Sequence, residues 1–165
     1  MESRDNLLSL IPKSEMKRVL NQEHCDIDPT FMGFIDIYFH LSKIIPKHFT
    51  VVDLGCAYNP QCYFFKDHKK YVGVDYGSLE RFKSINCEIF EKTISDFLKY
   101  DAGEFDPDET FYICSFVPPW GDDNQQLARI YSKNCFCFYP SHKEQEKQMA
   151  SFMNRVRRKT PKDVK

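Results

Sequence analysis

The sequence predicts a three-layer α/β sandwich built on a mainly parallel sheet of about five strands, with helices at the N-terminus. Three observations carry this. Short apolar runs of strand length fall at 49–55, 71–75, 85–90, 111–117 and 134–139. Helical or turn-rich segments separate them, the rhythm of crossover connections between parallel strands. The first run, Phe49-Thr50-Val51-Val52-Asp53-Leu54-Gly55, is a short, largely apolar run broken by glycine, which fits a buried strand.

Taken in order, residues 1–47 read as helical. Asp28-Pro29 is an N-cap with proline at the first helical position. From there Phe31, Phe34, Ile35, Tyr38, Leu41 and Ile45 recur at three- and four-residue steps, so one broad face is buried, and Pro46 ends the helix. A shorter helix is expected around Ser14–Asn21. After strand one, a helix is expected from Pro60 to about Lys69, then strand two at Tyr71–Asp75. A short helix near Leu79–Lys83 leads to strand three at Ile85–Phe90, and Thr93–Tyr100 is helical. The acidic stretch 101–109 reads as a solvated loop. Strand four spans Phe111–Val117 and runs into Pro118-Pro119-Trp120-Gly121. Asp122 and Asp123 cap a helix reaching Tyr131, Asn134–Tyr139 is strand five, and a charged helix runs from Ser141 towards Arg158.

Composition bounds the function. A chain of 165 residues, 42% hydrophobic and 28% charged, suits one compact domain. With 23 Lys+Arg against 24 Asp+Glu the net charge is -1, which argues against an overall basic coat for nucleic acid. The late basic residues Lys143, Lys147, Arg155, Arg157, Arg158, Lys159 and Lys162 read as a solvated helix face and tail, or as phosphate contacts. No run approaches the ~18 apolar residues of a membrane span. The charged start Met1-Glu2-Ser3-Arg4-Asp5 carries no signal-peptide core, so a cytoplasmic location is expected. The seven cysteines show no zinc-type spacing; reduced, buried, packing thiols are expected and no metal.

In open α/β sheets ligands bind beyond the carboxyl ends of the strands. Three sets of residues lie at such ends. The first is Asp53-Leu54-Gly55-Cys56-Ala57-Tyr58-Asn59-Pro60, where Gly55 permits close backbone approach and a following helix N-terminus offers free N–H donors. The second is Asp75, twenty-two residues after Asp53, a carboxylate able to accept from both hydroxyls of a ribose. The third is Val117-Pro118-Pro119-Trp120, where a rigid turn presents an aromatic plane. Cys56 is either a thiol activated at a helix N-terminus or a packing residue.

This arrangement resembles the S-adenosylmethionine-dependent methyltransferases with a Rossmann-like sheet, over residues 49 to about 139. Their first motif is Asp/Glu-x-Gly-x-Gly-x-Gly, whose frame Val51-Val52-Asp53-Leu54-Gly55-Cys56-Ala57-Tyr58-Asn59 matches, with Ala57 and Asn59 in place of the second and third glycines. The resemblance implies that Asp53, Gly55, Cys56, Ala57 and Tyr58 line the methionine side of S-adenosylmethionine and that Asp75 holds its ribose. It implies that Pro118 and Trp120 meet the acceptor, although Val117 stands where amino-nitrogen methyltransferases carry Asn or Asp. Thr93, Ser95 and Asp96 offer no clear match to the acidic residue beside the adenine. Such a transfer needs alignment more than side-chain chemistry, because the sulfonium already activates the methyl group.

The resemblance divides the domain into an N-terminal helical cover (1–47), a Rossmann-like cofactor-binding core (48–140) and a C-terminal helix with a basic tail (141–165). A full methyltransferase sheet adds two more strands, whereas 26 residues follow Tyr139. The expectation is a shortened member with an open acceptor site, or one that a protein partner completes. The acceptor is left open among nucleic acid, protein and small molecule. The alternatives are a catalytically degenerate methyltransferase fold serving as a binding or partner module, a glycine turn without a ligand, and a nicotinamide-binding domain, for which Gly55 alone is a poor pyrophosphate loop.

Overall fold

In the computed structural model the described residues are 2–16, 32–77, 80–114 and 134–137. They form helix α1 (Glu2–Leu10), helix α2 (Met32–Ile44), strand β1 (Thr50–Leu54), a 3-10 helix at Pro60–Phe65, β2 (Lys70–Asp75), β3 (Cys87–Glu91), α3 (Ile94–Tyr100), β4 (Thr110–Cys114) and β5 (Cys135–Cys137). The five strands make one sheet in the order β3-β2-β1-β4-β5, every pair parallel. This is an α/β fold with the strand order of Rossmann-like sheets.

The sheet is covered on both faces because its central strands carry apolar side chains both ways. Val51, Tyr71, Phe111, Ile113 and Phe136 meet Leu7 of α1, Ile35, Tyr38 and Leu41 of α2, and Phe64 and Phe65 of the 3-10 helix. Val52, Leu54, Val72, Val74, Tyr112, Cys114 and Cys135 meet Phe97 of α3 on the other face. The ring of Phe65 stacks on that of Tyr71 with centroids 5.4 Å apart. The Ser3 hydroxyl donates to Asp36, tying α1 to α2.

The expected strands are all present within a residue or two of the expected starts. Helix α2 ends at Ile44, ahead of Pro46, as expected. Thr93 is the N-cap of α3, its Oγ1 accepting from the Asp96 N–H at 3.1 Å. Two helix expectations need correction. The segment after β1 is a six-residue 3-10 helix rather than an α-helix to Lys69, entered from Asn59 in the left-handed region at φ 72°. Only four residues separate it from β2, too few for a further turn and the return to the sheet. Residues 80–84 are not helical. Arg81, Phe82 and Ser84 are all buried there, a set no single face of a short helix presents. The Asp28-Pro29 start, Phe31, most of the helix at 14–21 and everything expected over 115–133 and beyond 137 lie outside the described residues.

Among the described residues no helix is long and apolar enough to cross a membrane, and no group of His, Cys, Asp or Glu is arranged to hold a metal ion.

Candidate functional site

The strand order reverses between β1, which leads outward to β2 and β3, and β4, which leads to β5. Beyond the carboxyl ends of β1 and β2 the chain forms a loop at 55–59 containing three left-handed residues: Gly55 at φ 89°, Ala57 at 49° and Asn59 at 72°. The N–H groups of Gly55 and Cys56 both donate to the Val74 carbonyl, at 2.8 and 3.2 Å, so the loop folds across the end of β2. There the Ala57 N–H donates to Asp75 Oδ2 at 2.8 Å, while Asp75 Oδ1 accepts from the Tyr76 N–H at 2.9 Å. The first two sequence-derived sets are thus brought together: Gly55 and Cys56 bind the Val74 carbonyl and Ala57 the Asp75 carboxylate.

Asp53 is engaged by other side chains. It is fully buried, accepting from the Tyr38 hydroxyl at 2.9 Å, from Gln61 Nε2 at 2.9 Å and from the Tyr71 hydroxyl. Gln61 Nε2 also donates to the Cys56 carbonyl at 3.0 Å. A carboxyl group buried without such donors would cost several kcal/mol; with them it ties α2, β1, β2 and the 3-10 helix to the loop. Burial, and then the Asp53 carboxyl, hold the Tyr71 phenol well above its ordinary range, so it stays a donor.

Cys56 is buried with its sulfur against Gly73: a Cβ at Gly73 would stand 2.9 Å from that sulfur and 2.9 Å from Ile89 Cδ1. Burial, followed by Asp53 and Asp75, pushes the Cys56 thiol up, so it is a neutral packing thiol rather than an activated one. Tyr58 is half-buried, and its carbonyl accepts from the Phe82 N–H at 2.9 Å. Asn59 Nδ2 donates to the Phe82 carbonyl at 3.1 Å. Pro118 and Trp120 lie outside the described residues.

Arg81 is a residue of this candidate site that the sequence reading passed over. Its side chain is 1% exposed. Nε donates to the Ala57 carbonyl at 2.9 Å, Nη2 to the Gly77 and Tyr76 carbonyls at 3.2 and 3.4 Å, and Nη1 to Glu91 at 3.1 Å. One guanidinium therefore joins the loop after β1, the loop after β2 and the end of β3. Tyr76, next to Asp75, is 73% exposed and presents a ring to solvent at the same edge. A Tyr directly after a strand-ending carboxylate was the available signal; Arg81 gave none without the fold.

No family model matches the chain, and no curated protein and no solved structure matches it.

Proposed function

We propose that the chain binds S-adenosylmethionine beyond the carboxyl ends of β1 and β2 and transfers its methyl group to an acceptor. The observation that carries this reading is the junction of the 55–59 loop with Asp75. A tight left-handed loop after the first strand lies hydrogen-bonded to the carboxylate that ends the neighbouring strand, in a sheet of order 3-2-1-4-5. The residues fit the cofactor chemically. Each Asp75 oxygen accepts one main-chain N–H and keeps a second lone pair for a ribose hydroxyl. Tyr76 supplies an exposed plane for a base. Gly55, Cys56, Ala57 and Tyr58 would line the methionine side, with Cys56 as a neutral, non-competing thiol. Asp53 acts from behind, fixing the loop through Gln61.

The cofactor supplies a methyl group already activated on a sulfonium, so the protein's part is alignment and exclusion of water. Pro118 and Trp120 are the proposed acceptor contacts, and a cytoplasmic setting belongs to the same reading. Nucleic acid, protein and small molecule all stay open as acceptor.

A second reading, a methyltransferase-like fold that only binds a partner, is favoured by one observation. Asp75 already ties its own loop through two main-chain bonds and so has a purely structural use. Calorimetric titration with S-adenosylmethionine and S-adenosylhomocysteine separates the two. The enzyme reading expects both to bind, and Asp75→Asn to weaken binding by about tenfold or more through one lost charged hydrogen bond. If neither binds at millimolar concentration, the second reading stands.

A further inference from the structure

Cys87 opens β3, directly after a turn in which its N–H donates to the Ser84 carbonyl at 3.1 Å. It is half-buried, whereas Cys56, Cys62, Cys114 and Cys135 are buried. Donors converge on its sulfur. Asn59 Nδ2 lies 3.4 Å from Cys87 Sγ, and the Cys62 thiol donates to it from the 3-10 helix. The exposed Lys83 side chain adds a positive charge nearby. Glu88, the next residue of the strand, projects to the other face and pairs with Lys70. The Cys62 hydrogen bond holds the Cys87 thiol below its ordinary range, helped by Asn59 and Lys83 and opposed by burial. Burial pushes the Cys62 thiol well up, so Cys62 stays a donor.

Asn59 supplies a second, separate feature. It is fully buried, and Nδ2 of its amide serves both Cys87 and the Phe82 carbonyl. Its Oδ1 has no hydrogen-bond partner among the described residues. An unspent acceptor thus sits one amide group away from a half-buried sulfur that is surrounded by donors.

We propose that Cys87 is a modification site, a nucleophilic thiol that takes a small electrophile bearing an amide N–H, which Asn59 Oδ1 accepts. Acrylamide is the simplest such reagent, and its addition balances without oxidant or reductant. The Cys87 thiolate forms an S–C bond to the terminal vinyl carbon. The π electron pair moves to the carbon beside the carbonyl, which takes a proton from water in place of the thiol proton given up to solvent. The inference does not depend on cofactor binding, although Asn59 ends the 55–59 loop.

The test uses the whole native chain. The protein is treated with limiting acrylamide at neutral pH, quenched with excess thiol, digested, and each cysteine's rate is read by mass spectrometry. Cys87 is expected to react about tenfold or more faster than Cys56, Cys62, Cys114 and Cys135, and faster than Cys87 itself in the urea-unfolded chain, although folding half-buries it. Lys83→Gln, a change at an exposed side chain, and Cys62→Ala are each expected to slow Cys87 by about threefold or more. The acceptor is read with methyl acrylate, which lacks the N–H. The ratio of acrylamide to methyl acrylate rates at Cys87 should be about threefold or more higher in the native than in the unfolded chain. A native Cys87 no faster than the unfolded one, or one that both variants leave unchanged, overturns the proposal. An equal reagent ratio in the two states overturns the part assigned to Asn59.

Discussion

At Arg81 a buried guanidinium is shared among the carbonyls of Ala57, Tyr76 and Gly77 and the Glu91 carboxylate. Arg81→Met keeps the stem and removes every donor, leaving main-chain acceptors without their partner at a closed junction. Stability is expected to fall by about 2–4 kcal/mol, read from urea unfolding. Arg81→Lys recovers only part of the loss, because a single ammonium cannot span two loops and a strand end. The polar knot around Asp53 makes a parallel case. Tyr71→Phe removes one donor to a buried carboxyl group and is expected to cost about 1–3 kcal/mol, whereas the same change at exposed Tyr76 costs less than about 0.5 kcal/mol. At this scale the sequence was legible only in part. Asp53, Gly55 and Asp75 stand out because each sits at the end of an apolar run. Arg81, Tyr38 and Gln61 do not, because what makes them matter is a partner 8 to 24 positions away, a tertiary fact without a local signature.

Among the elements, the strands were the most readable, since a run buried on both faces writes itself as continuous apolar sequence. The connections were the least readable. The segments 60–65 and 80–84 were expected to be helical, yet the short return to β2 and the inward turn of both Arg81 and Phe82 decide otherwise. Helix α2 shows how a connection secures an element. His68, buried in the turn before β2, lies with Nε2 3.0 Å from the Ile45 carbonyl just past the helix end, and donates to it as the neutral ring. Burial lowers the His68 pKa to about 4 from 6.5. Below pH 6.5 the unfolded chain gains a proton that the native ring refuses. This contribution, about 3 kcal/mol, is therefore complete above pH 6.5 and lost as the pH falls to about 4. Urea midpoints measured across that window should decline in the native sequence, with a shallower slope in His68→Gln. The contact between β2 and the loop gives another expectation. Gly73→Ala drives a methyl into Cys56 and Ile89, with an expected loss of about 1–3 kcal/mol and faster amide exchange over 55–59.

For the whole molecule, a mainly parallel sheet of about five strands between helical layers was anticipated from the alternation of strand and helix patterns, and the strand order 3-2-1-4-5 is what the structure adds. Function was less legible than architecture, because one strand order serves many chemistries and only the site discriminates among them. What the fold adds is convergence: the loop after β1, the carboxylate ending β2 and the exposed ring beside it meet at one edge, held by Arg81 from beneath. The central claim, that this edge receives S-adenosylmethionine, is tested most directly by residue-resolved amide hydrogen exchange with and without S-adenosylhomocysteine. The account predicts slowed exchange concentrated at 55–59 and 75–77, abolished by Asp75→Asn at the same ligand concentration. Unchanged exchange at those amides under millimolar ligand, or protection confined to another part of the sheet, would contradict it.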